Sequence, residues 1–153
     1  MFDELRQASC FQDLDVEQIA TILPYCSQVI LSDGDIMIHE GDHDANDLFI
    51  LMSGEIEIVS NNTNTISHEV VLSKEDKDLY GELSWLTKRK RTASARCRGD
   101  VEAIKIDGNA LMRELKRSPE LGFKVLHRIS LTLAERLDDS DSLMKQLLWN
   151  SNI

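Results

Sequence analysis

The densest chemistry in this 153-residue chain lies in one run, Tyr80-Gly81-Glu82-Leu83-Ser84-Trp85-Leu86-Thr87-Lys88-Arg89-Lys90-Arg91-Thr92-Ala93-Ser94-Ala95. Gly81 permits close backbone approach to a ligand. The residues after it predict a short helical turn. Its leading N–H groups lack intrahelical acceptors and, with the helix dipole, favour a phosphate. Arg91 stands nine residues after Glu82 and opens a predicted return strand over 92–98, which can bring its guanidinium back to the same place. A guanidinium matches phosphate geometry with two parallel hydrogen bonds. Glu82 would repel phosphate, but its carboxylate can accept from a sugar hydroxyl, as acidic residues do in dinucleotide sites. The run therefore supplies parts for a ribose carrying a phosphate. A glutamate–arginine surface ion pair over a tight turn is the other reading of the same spacing.

The charge distribution changes at the same run. Net charge is −10, which disfavours nucleic acid as the main partner. Residues 1–87 carry 18 acids against 3 bases, whereas residues 88–153 carry 9 acids against 14 bases, so the sign reverses at the run described above. Six bases fall between Lys88 and Arg98, which fits either a small anion held at one place or a solvated basic turn.

Other constellations carry less. His39 and His43 with Glu40 and Asp42 form a conceivable metal set, but a glycine turn at Gly41 explains the segment and no metal is expected. Cys10, Cys26 and Cys97 are odd in number and far apart, which predicts a reduced, cytoplasmic compartment and no disulfide framework. No nucleophile–base spacing is present, so no enzymatic activity and no catalytic residue is predicted. The longest apolar run is five residues, at 48–52, against the roughly 20 that a membrane span needs. The acidic N-terminus predicts no secretory signal.

These side chains need a scaffold, and the periodicity describes one. At 42% apolar and 29% charged, the composition is that of a globular protein with a real core. Asp13 or Asp15 can cap a helix with apolar positions Val16, Ile19, Ala20, Ile22 and Leu23, stopped by Pro24. Between 28 and 106 the period falls to two. The segments at 29–31, 36–38, 48–52, 55–58, 70–72, 93–98 and 104–106 read as short strands, in a chain of about eight between 28 and 106. Gly34, Gly41 and Gly54, each beside an acid or serine, mark turns. The polar stretch 60–65 reads as a hairpin loop. From Asn109 the chain turns helical again, with Pro119 in a first turn. Leu126, Ile129, Leu133 and Leu137 form an amphipathic stripe on a helix of about 30 residues, longer than one small sandwich can cover. A second copy packed along that stripe is the economical partner, giving a homodimer. A helix that breaks near Asp138 and folds back is the alternative.

The combination of Tyr80-Gly81-Glu82-Leu83-Ser84, Arg91-Thr92-Ala93, the upstream glycine turns at Gly34, Gly41 and Gly54, and the Leu133-Ala134-Glu135-Arg136-Leu137 helix resembles the cyclic nucleotide-binding domain family, with the helix similar to that of catabolite-activator-type regulators. The resemblance covers residues 10–149. It implies a mainly β fold with flanking helices, a jelly-roll-like β-roll or double-stranded β-helix. It implies one domain over 1–153, with an N-terminal helical segment at 1–27, the β-roll at 28–107 and C-terminal helices at 109–149. It implies a cyclic phosphate held by backbone amides at Glu82, Leu83 and Ser84 behind Gly81 and by Arg91, with the ribose 2′-hydroxyl on Glu82. Thr92 would meet the base. Ser140, Asp141 and Trp149 are further candidate base contacts. Lys77 and Lys90 depart from the family's usual glycine and proline. The ligand expected is cAMP rather than cGMP, with no cofactor, in a stand-alone sensor without a DNA-binding domain. Neither DNA nor membrane is an expected partner, and the downstream protein is unidentified. Two rival readings stay open: an interaction or dimerisation module with an empty pocket, and a sensor of another anion.

Overall fold

The structure is a computed structural model that describes residues 1–42, 46–60, 69–73 and 77–151. The polar stretch read as a hairpin loop falls largely outside these residues, as do His43 and His68.

Two short helices open the chain, α1 (Phe2–Gln7) and α2 (Val16–Ile22). Asp15 caps α2: its carboxylate accepts from the Gln18 N–H while the Gln18 side chain reaches back to the Asp15 N–H. Asp13 does different work, pairing both carboxylate oxygens with Arg128 at 2.6 and 2.9 Å. A turn at Leu23–Tyr25 containing Pro24 then ends the helical segment.

Six strands follow among the described residues: β1 (Cys26–Leu31), β2 (Ile36–Ile38), β3 (Leu48–Ser60), β4 (Glu69–Ser73), β5 (Leu79–Tyr80) and β6 (Ser94–Ile106). All pairings are antiparallel, in the order β1-β6-β3-β4, with β2 also on β6 and β5 also on β3. Six strands replace the eight read from the sequence. The turn signal at Gly54 predicts a strand end, but β3 runs through it, and β6 likewise runs through Gly99. Both glycines take positive φ, +99° and +75°. The register slips between Ser53↔Glu102 and Glu55↔Arg98, so the two long strands bend together as a bulged ribbon.

Strand alternation explains why the run at 48–52 is apolar throughout. Leu48 and Ile50 enter a core shared with the helices, while Phe49 and Leu51 enter a second core inside the sheet. On β6, Ile104 and Ile106 join the first core and Val101 and Ala103 the second.

Helices α3 (Glu82–Thr87), α4 (Gly108–Arg117) and α5 (Pro119–Ser151) complete the chain. Asp107 caps α4 by accepting from the Ala110 N–H. Helix α5 is continuous over 33 residues, about 50 Å, with no break at Asp138. Its apolar stripe divides into two uses. Leu121, Val125 and Ile129 belong to the protomer's own core, and Leu126 and Leu133 pack at its margin. Ile129 is only 4% exposed, so it is not an intersubunit residue; of the four stripe positions read from the sequence, Leu137 alone is open, at 64%. No helix among the described residues is long and apolar enough to cross a membrane.

Candidate anion and sugar site

Strand β5 delivers the chain into the site, paired with β3 through Leu79↔Ile50 and Tyr80↔Phe49. Just before it, Lys77 adopts φ +68°, the left-handed region in which glycine is at ease. That geometry accounts for the glycine usual at this position in the family that the sequence resembles. After β5, Gly81 takes φ +91° and starts α3. A side chain here would meet Arg91 Nη1 at 2.6 Å and the Asp47 carbonyl at 2.9 Å, so both backbone conformation and space require glycine.

Helix α3 is held at both ends. Ser84, buried, donates its hydroxyl to Gly81 O at 3.3 Å. Lys88, at φ +60°, closes the helix by donating its N–H to Ser84 O. Trp85 is fully buried beneath, with Nε1 donating to Gly108 O at 2.8 Å. The N–H groups at the start of α3 have no acceptor within the helix.

Arg91 returns to this point. Its backbone is clasped to the turn at 41–42, with Gly41 N–H donating to Arg91 O and Arg91 N–H donating to Asp42 O. Its side chain runs inward and is only 4% exposed. Nη1 donates to Gly81 O at 2.9 Å and Nη2 to Asp47 O at 2.6 Å. Nε is buried with no hydrogen-bond partner among the described residues. Burial lowers the Arg91 pKa, opposed by the Asp47, Asp42 and Glu82 carboxylates nearby. The guanidinium thus spends its hydrogen bonds on two backbone carbonyls and keeps one spare buried donor.

The Glu82 side chain, 13% exposed, lies at the first turn of α3 and accepts from Arg136 Nη1 on α5 at 2.8 Å. The same guanidinium donates through Nη2 to Asp78 Oδ2 at 3.1 Å. A small cavity beside this group is lined by Ser9, Cys10, Asp78, Glu82 and Arg136, among others. Cys10 there is buried, which raises its thiol pKa and makes it a poor nucleophile.

Gly81, Glu82, Leu83, Ser84, Arg91 and Thr92 are therefore gathered at one place, with Leu83 and Thr92 on the exposed side. Ser140 and Asp141 are exposed on α5, about one turn beyond Arg136. Trp149 is 77% exposed and about 20 Å beyond Arg136 along the helix, too far to cover a base bound at its own protomer's site. Asp78 and Arg136 were not singled out by sequence reasoning. The available signal was Arg136 itself, a cation continuing the inward-facing series Ile129, Leu133 on an otherwise apolar helix face.

The description "Cyclic nucleotide-binding domain" belongs to the family model that matches residues 28–118. Over 149 residues the chain is 26% identical to the CRP-like cAMP-activated global transcriptional regulator of Mycobacterium tuberculosis, an alignment covering 97% of this chain and 64% of that protein's length. It superposes on a cyclic nucleotide-binding domain from Methylobacillus flagellatus with a TM-score of 0.82 at 21% identity, covering 95% of this chain and 83% of the other. It also superposes on the regulatory domain of Toxoplasma gondii PKA with cAMP, with a TM-score of 0.63 at 23% identity, covering 73% and 42%. At these identities the structural likeness establishes a shared fold.

Proposed function

The chain belongs to the cyclic nucleotide-binding domain family, and on that premise we propose that it binds a cyclic nucleotide monophosphate, cAMP in preference to cGMP, as a regulatory sensor module. The observation that carries the reading is the buried Arg91 guanidinium with its unpartnered Nε, set against the first turn of α3 and beside Glu82. Arg91 and the Glu82, Leu83 and Ser84 amides take the cyclic phosphate. Glu82 accepts from the ribose 2′-hydroxyl. Its carboxylate offers about four lone-pair sites, so the Arg136 contact leaves acceptor capacity for the sugar. Arginine and amides bind, glutamate orients, and nothing in the arrangement needs a chemical step.

Thr92 reads the base weakly. Its hydroxyl can accept from the 2-amino group of a syn guanine, a donor that adenine lacks. One neutral hydrogen bond contributes about 0.5–1.5 kcal/mol, roughly a 2- to 13-fold effect, too little to fix specificity alone. Calorimetric titration with cAMP and cGMP tests the whole reading, and absence of binding by both defeats it in favour of an interaction module. In the same assay Thr92→Ala is expected to weaken cGMP several-fold and leave cAMP nearly unchanged. Equal losses would remove Thr92 from base recognition and leave Ser140 and Asp141 as the candidates.

The same module acts as a homodimer through the distal part of α5. Leu133, Leu137, Ser140, Met144 and Leu147 recur at spacings of 4, 3, 4 and 3, the pattern of a coiled-coil seam. Leu137, Leu143, Met144, Leu147 and Leu148 are all exposed in the protomer. Met144→Glu lies beyond the protomer core and places like charges in an apolar seam, so it is expected to give a folded monomer in sedimentation experiments. Wild-type protein that is monomeric at high micromolar concentration would refute the dimer.

A further inference from the structure

Asp78 joins three elements that are remote in sequence. Its backbone is fixed first: Leu51 N–H donates to Asp78 O at 3.3 Å and Lys77 N–H donates to Leu51 O at 2.6 Å, while Ser9 N–H donates to Lys77 O at 3.1 Å. Its carboxylate, 14% exposed, is then shared between the two ends of the chain. Oδ1 accepts from Ser9 Oγ at 3.0 Å, in the turn after α1. Oδ2 accepts from Arg136 Nη2 at 3.1 Å, on α5. The other arm of the same guanidinium holds Glu82 Oε1 at 2.8 Å.

The guanidinium is planar and rigid, so anchoring one arm fixes the direction of the other. With Nη2 seated on Asp78, Nη1 has one place for the Glu82 carboxylate. Without Asp78, the Nη2 arm loses the carboxylate that orients it, and Glu82 on the other arm is held in more than one direction. Arg136 also separates two carboxylates that would otherwise repel each other.

We propose that Asp78 is a positioning residue for sugar recognition: it orients Arg136, which keeps the Glu82 carboxylate aimed at the ligand's 2′-hydroxyl. The proposal rests on the assignment of Glu82 to that hydroxyl given above. Because Ser9 and Arg136 share the Asp78 carboxylate, the sugar end of the pocket is tied both to the N-terminal turn and to α5.

Wild type and Asp78→Asn are titrated calorimetrically with cAMP and with 2′-deoxy-cAMP. Wild type is expected to prefer cAMP. Asp78→Asn is expected to weaken cAMP about 3- to 30-fold while changing 2′-deoxy-cAMP by less than about twofold, so that the preference for the ribose collapses. Arg136→Gln is expected to give the same selective loss, and the double variant to lose little more than either single one. Should Asp78→Asn fail to fold, Asp78→Glu reads the same difference, because it keeps the charge but moves the carboxylate by one methylene. Equal losses for both nucleotides would reduce Asp78 to a structural role and overturn the proposal, as would unchanged cAMP affinity. Wild type that binds both nucleotides equally well would instead overturn the Glu82 assignment, and wild type that binds neither would overturn the ligand reading itself.

Discussion

Arg91→Ala is expected to weaken cyclic nucleotide binding by roughly 30- to several-thousand-fold. The estimate follows from burial. Removing one partner of a buried charge pair costs about 2–5 kcal/mol, because the other charge is left without compensation. Here the ligand phosphate would enter a site whose buried Arg91 guanidinium had gone. The variant also loses the donors to Gly81 O and Asp47 O, so the unliganded protein is expected to lose about 1–3 kcal/mol of stability. The two effects separate experimentally. Thermal unfolding without ligand reads the second. The first appears as the loss of ligand-induced stabilisation, which for wild type at a hundredfold excess over Kd is about 2.7 kcal/mol. Arg91→Lys keeps the charge but not the planar fork, so it is expected to fall between the two proteins. An unchanged dissociation constant in Arg91→Ala would defeat the phosphate assignment.

Trp85→Ala is expected to destabilise the fold by about 3–5 kcal/mol, much of the roughly 5–15 kcal/mol that holds a domain of this size together. Trp85 is fully buried in the core that α3 shares with β3, β6, α4 and α5. Its indole N–H donates to Gly108 O. Gly108 has no room for a side chain, because a Cβ there would meet the indole Cδ1 at 2.8 Å and the Asn46 carbonyl. Truncation therefore opens a cavity and removes the side-chain hydrogen bond that ties α3 to the first carbonyl of α4. Trp85→Phe retains most of the ring and loses the hydrogen bond, so a smaller cost of about 1 kcal/mol plus a packing defect is expected. Urea unfolding followed by circular dichroism measures both. A shift under about 1 kcal/mol for Trp85→Ala would mean that α3 is not anchored by this residue.

The sequence by itself determined the local decisions. Period-two alternation at 36–38 and 55–58 placed strands, Asp13 or Asp15 marked the start of α2, and Pro119 marked the start of α5, because each reflects backbone preferences over a few residues. Gly81, Glu82 and Arg91 could be picked out together because a required positive φ, a charge and a fixed spacing are all local properties. Tertiary structure decided the rest. Gly54 carries the same turn signal as Gly34, yet it bends two paired strands instead of ending one, since the pairing partner across the sheet sets which outcome occurs. Ile129 and Leu137 share one helical stripe, and only the position of the core shows that the first is internal and the second open. Arg91 looked like a ligand contact and proves also to hold two backbone carbonyls, one from a residue 44 positions away. Asp78, Glu82 and Arg136 meet across 54 to 58 residues, and no periodicity reports a contact made by chain return.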